Sequence, residues 1–83
     1  MLEVKEAAQA AARYFQAISL EPVKLSIEEI ELEDGYWMIT LGIVPSEQEN
    51  FFNPSIINKN KDYKIFKIDA NTGEVQSMKI RKI

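Results

Sequence analysis

Apolar residues recur with two different periods along these 83 residues, and the change of period divides the chain. From residue 3 to about 18, Val4, Ala7, Ala8, Ala11, Phe15 and Ile18 fall mostly three and four apart, the spacing of one helix face. Alanine is the best helix former, and no Gly or Pro interrupts the run. Small alanines let such a helix sit close against a sheet, with Phe15 and Ile18 as its larger anchors. Pro22 requires an end by about residue 20, because it disfavours helical geometry in the residue before it.

Beyond Pro22 the period becomes two. Residues 24–33 read as a strand in which Leu25 and Ile27 are out of phase with Ile30 and Leu32. A bulge near Glu28-Glu29 returns both pairs to one face. Glu33-Asp34-Gly35 then reads as a hairpin turn, with Gly35 supplying positive φ. The next strand, residues 36–44, carries Trp37, Ile39, Leu41 and Ile43 on the face expected to lie under the helix, with Tyr36, Met38 and Thr40 on the other. Tyr63 to Ile83 form a second hairpin. Phe66 and Ile68 take one side of its first strand, Tyr63 and Ile65 the other, and Val75, Met78 and Ile80 follow with a change of phase in its second. One helix followed by four strands joined mostly by tight turns predicts an α+β fold, one N-terminal helix packed on a four-stranded antiparallel sheet.

Between the hairpins, residues 45–62 are polar and Asn-rich, with two prolines, yet contain Phe51, Phe52, Ile56 and Ile57. A connection of this length in a compact domain points to function or disorder. Two readings apply: the apolar pairs meet a partner, or the segment folds back over a sheet edge that a small β protein must protect.

Asp69-Ala70-Asn71-Thr72-Gly73 invites a metal-site reading, and spacing argues against it. Counted from Asp69, Asn71 stands at loop position 3, but Gly73 falls at 5, Glu74 at 6 and Ile80 at 12, where a calcium loop needs an oxygen ligand, glycine and glutamate. As a turn, every residue fits. The Asp69 side chain accepts from turn N–H groups, and Gly73 closes the loop in the left-handed region.

Composition narrows the function. The length allows one domain over residues 1–83, with about 3–5 kcal/mol of net stability to be expected from its core. With no Cys and no His, disulfides, ordinary zinc sites, Ser-His-Asp and Cys-His nucleophile systems and a histidine general base are all excluded. The expectation is therefore no enzyme, no metal and no cofactor. The alternating carboxylates Glu29, Glu31 and Glu33 read as the wet side of a strand, and no residue is nominated as catalytic. No apolar run approaches the roughly 20 residues of a membrane span. The N-terminus has no apolar signal-peptide core, leaving a cytoplasmic protein or one whose leader has been removed. The net charge of −3 hides a split: residues 1–50 hold ten acids and three bases, residues 51–83 three acids and seven bases. The whole is too acidic for a general nucleic-acid binder. The split is read as neighbouring strands complementing each other, with an acidic partner as the alternative.

The alanine-rich helix, Glu33-Asp34-Gly35-Tyr36-Trp37-Met38 and the closing hairpin from Tyr63 to Ile80 are similar to PepSY and PepSY-like domains. The most specific part is Asp69-Ala70-Asn71-Thr72-Gly73-Glu74-Val75. The resemblance implies a small PepSY-like or cystatin-like module with no catalytic residues, in a family that includes peptidase propeptides thought to bind or restrain peptidases. The chain departs from the family in its longer, more apolar connection at 45–62. The expected function is a non-catalytic module binding a protein or peptide, with an interface drawn from Phe51, Phe52, Ile56, Ile57, Tyr36, Met38, Tyr63 and Ile65. A self-associating homodimer and a small-ligand carrier are the alternatives.

Overall fold

The structure is a computed structural model and describes residues 1–46 and 61–82. One helix, α1 (Val4–Ile18), is followed by β1 (Val23–Glu33), β2 (Tyr36–Pro45), β3 (Asp62–Asp69) and β4 (Val75–Ile80). The strands form one antiparallel sheet in the order β1-β2-β3-β4, and α1 lies on one face of it. This is the α+β arrangement expected from the change of period. The described helix is not long and apolar enough to cross a membrane.

Local chemistry sets the element ends. Glu6 Oε1 accepts from the Glu3 backbone N–H at 3.0 Å, satisfying a donor that the helix start leaves orphaned. At the other end Ser19 turns extended while its N–H still reaches the Phe15 carbonyl at 2.9 Å. The helix thus stops before Pro22 obliges it to, with the Ser19 hydroxyl donating to the Glu21 carbonyl. Asp34 and Gly35 both have positive φ, 49° and 82°, the requirement of a two-residue type I′ hairpin.

The core forms where α1 crosses the middle of the sheet. Ala7 and Ala11 meet Ile39, Leu41 and Ile43 of β2 and Phe66 and Ile68 of β3, all buried. Phe15 and Tyr14 present ring edges to Phe66, with centroids 6.4 and 6.3 Å away. The bulge lies where the sequence places it. Ile27 pairs with Leu41 and Glu29 with Thr40, so Glu28 is the extra residue. The phase change in the second hairpin is also present: Ser77 pairs with Lys67 and Val75 with Ile68, leaving Gln76 over.

One helix anchor, Ile18, and one further stripe residue, Val4, are corrected. Val4 and Ile18, expected on the buried stripe, are 42% and 46% exposed. Periodicity places them on the core-facing side, but they stand in the first and last turns, where that side meets less of the sheet. On the helix side of β1, Val23 and Leu25 pack against the core, while Ile27, Ile30 and Leu32 are all exposed. The connection read as 45–62 is shortened at both ends, since β2 includes Pro45 and β3 begins at Asp62. Phe51, Phe52, Ile56 and Ile57 lie outside the described residues.

Asp69-Ala70-Asn71-Thr72-Gly73 is a corner. Asp69 Oδ1 accepts from the N–H groups of Asn71 (2.7 Å) and Thr72 (3.0 Å), and the Gly73 N–H returns to the Asp69 carbonyl at 2.8 Å with φ +79°. This corner also fastens neighbouring chain. Buried Ala70 donates to the Gly35 carbonyl and accepts from Leu2 N–H, while Trp37 Nε1 donates to the Leu2 carbonyl at 3.1 Å.

Candidate functional site

The sheet face opposite α1 is covered by no other described helix or strand, and its composition follows from register alone. Outward positions on β1 are Lys24, Ser26, Glu29, Glu31 and Glu33, and on β2 Tyr36, Met38, Thr40, Gly42 and Val44. On β3 they are Tyr63, Ile65, Lys67 and Asp69, and on β4 Ser77 and Lys79. An acidic edge and a basic edge therefore flank an apolar and aromatic middle. Tyr36, Met38, Tyr63 and Ile65, the four described members of the expected interface, all stand in that middle and are each half-buried. Lys67 Nζ lies 4.4 Å from the Tyr36 ring centroid, and Lys61 Nζ lies 5.6 Å from that of Tyr63. Both rings carry a cation at the range where such contacts stabilise.

Two ion pairs cross the sheet at one end of this face. Lys61 Nζ reaches Glu28 Oε2 at 2.8 Å, and Arg81 Nη1 bonds Glu29 Oε1 and, at 2.9 Å, Thr40 Oγ1. The bulge is what turns two consecutive glutamates toward the same side. The charge split is thus partly resolved within the sheet, with bases of the second half meeting acids of the first. Thr40 is fully buried although it faces away from the helix, and Arg81 supplies its hydrogen bond. Gly42 is the clearance for the other pair. A Cβ there would stand 2.5 Å from Lys61 Cε, 2.7 Å from Glu28 Oε2 and 2.8 Å from Ser26 Oγ. Beyond the pairs, a shallow cleft of about 540 Å³ opens around Tyr63, with Lys64 and Lys82 on its rim.

Electrostatics follow from these contacts. The Glu28 carboxyl is held below its ordinary 4.5 by hydrogen bonds from Lys61 and Ser26, and that of Glu29 by Arg81. Lys61 and Arg81 are shifted upward by the same partners. A depressed carboxyl contributes stability above its unfolded pKa and loses that contribution as pH falls through the folded value; a raised base loses its own as pH climbs past its raised value. The pairs therefore act over the neutral range and fail first on the acid side, below 4.5. Replacing Glu28 and Glu29 by Gln should flatten the acid limb of a plot of melting temperature against pH, the two proteins converging at strongly acidic pH. The difference should be small and shrink in high salt, because both pairs are solvent-accessible. Gly42→Val should remove the Glu28 part of it.

Sequence reasoning placed the aromatic stripe correctly and did not identify Thr40, Gly42, Lys61 or Arg81 as parts of one arrangement. The doubled glutamate at a bulge was the available signal for paired bases across the sheet. Compared with protein-family models, curated proteins and solved structures, the chain matches none of them.

Proposed function

We propose that this chain is a non-catalytic binding module that docks a protein or peptide on the open sheet face. The observation that carries this reading is the stripe of Tyr36, Met38, Ile65 and Tyr63 on β2 and β3. Aromatic residues and Met are enriched at interface centres, and a polar, solvent-accessible rim surrounds such centres. Here the rim is Glu31 and Glu33 on one side and Lys67 and Lys79 on the other. A partner matching it carries apolar groups between a basic and an acidic flank. Restraint of a peptidase is the form of this role that the resemblance to PepSY domains implies.

The test is selection from a displayed random-peptide library, followed by rebinding to a Tyr36→Ser, Met38→Ser, Tyr63→Ser variant that still melts cooperatively. Selected peptides should bind the wild type and lose at least tenfold in affinity for the variant, since truncating a central interface residue costs about 1–2 kcal/mol or more. Peptides that bind both proteins equally would remove the open face from the account.

A further inference from the structure

Strand β1 is an edge, and its side-chain order is nearly symmetric about its own bulge. Residues 25–32 read Leu-Ser-Ile-Glu-Glu-Ile-Glu-Leu, which reversed differs only in exchanging Ser26 with Glu31. The bulge gives that symmetry structural meaning. Leu25 and Ile27 oppose Ile43 and Leu41 on the helix side, and after the extra residue Ile30 and Leu32 oppose Ile39 and Trp37 on that same side. In an unbulged strand, residues an odd number apart, such as Ile27 and Ile30, point to opposite faces; here they share one.

We infer that β1 pairs with β1 of a second copy of this chain, antiparallel about a two-fold axis between Glu28 and Glu29, joining two sheets into one of eight strands. In this register Ile27 lies opposite the partner's Ile30, Leu25 opposite the partner's Leu32, and Lys24 opposite the partner's Glu33. Every opposed pair is on a common face, as antiparallel pairing requires, and the bulged Glu28-Glu29 step of each strand meets that of the other, so no register error accumulates. The charges match at both ends, Lys24 against the partner's Glu33 and the reverse. At the axis, Glu28 and Glu29 are already held by Lys61 and Arg81 of their own chain.

What the pairing covers is apolar. Ile27, Ile30 and Leu32 are 53%, 37% and 46% exposed. With Val4, Ala8 and Ala12 of the helix, Ile27 and Ile30 line a groove of about 370 Å³ between α1 and β1. Two such grooves would adjoin across the axis, an isologous contact of the kind that closes dimers. An eleven-residue edge with exposed isoleucines is otherwise a template for uncontrolled pairing. The pairing uses the free edge of β1 and the groove beside α1, and meets the open face only at its rim, through Lys24 and Glu33.

Light scattering across a wide concentration range tests it, with charge variants that read the register. The wild type should rise from 9.5 kDa towards twice that mass. Lys24→Glu should weaken the dimer about tenfold, since it turns two symmetric attractions into repulsions, and adding Glu33→Lys to the same chain should restore it. Restoration by the second change separates register from misfolding. A monomer at all concentrations would overturn the inference and leave the glutamates as guards of the edge. So would a dimer that ignores Lys24→Glu and is broken by Met38→Glu, which would assign self-association to the open face.

Discussion

Phe66→Ala should leave little folded protein at 25 °C. Phe66 is fully buried at the centre of the core, with two aromatic edges and the alanine face of α1 against it. Removing a buried phenylalanine costs about 3–5 kcal/mol, the lost transfer energy plus the cavity left behind. A domain of this size holds about 3–5 kcal/mol in total, so one substitution consumes nearly all of it. The control is Ile80→Ala, at a residue 73% exposed, which should change stability by no more than about 0.5 kcal/mol. Far-UV circular dichroism against urea reads both. A Phe66→Ala protein with a cooperative transition only slightly earlier than wild type would mean that the core is centred elsewhere.

Gly73→Val should be the most damaging substitution outside the core. With φ at +79°, any residue bearing a Cβ is strained there, by about 1–2 kcal/mol, and a β-branched one more so. The added Cβ would also approach Leu2 Cδ1 to 3.1 Å. Leu2 is the residue through which Ala70 and Trp37 tie down the start of the chain, so strain at the corner extends to that tether. A loss of about 2 kcal/mol corresponds to a fall of roughly 8–16 °C in melting temperature for a domain of this length. Gly73→Asn should lose less than half as much, because asparagine tolerates the left-handed region. Equal losses for Val and Asn would show that the backbone angle is not what glycine supplies.

How much was legible follows physical lines. Alternation in β2 is unbroken from Trp37 to Ile43, and the strand sits in the sheet interior as that pattern requires. The bulge at Glu28 and the corner at Gly73 were also readable, because a broken phase and a required φ are local facts written in local sequence. What lay beyond reach depends on where α1 rests. Periodicity gives the helix its face but not its position over the sheet, so it could not tell that Val4 and Ile18 stay exposed while Ala7 and Ala11 are buried. The same placement exposes Ile27 and Ile30. Thr40 is the converse case: a polar residue on the outer face, buried with Arg81, the residue just past β4, bonded to its hydroxyl. Pairings 41 and 52 residues apart in sequence leave no periodic trace. For the candidate site, Tyr36, Met38, Tyr63 and Ile65 were legible because each lies an even number of residues from others on its own strand. The ion pairs that border them were not.

The most direct measurement is amide-shift mapping by NMR during titration with a library-selected peptide. The account predicts changes concentrated at Met38, Thr40, Ile65, Lys67 and Ser77, with Ala7 and Ala11 of the helix little moved. Changes clustered instead along α1 and at Ile27 and Ile30, with the middle of β2 and β3 silent, would contradict it and place binding on the opposite side of the sheet.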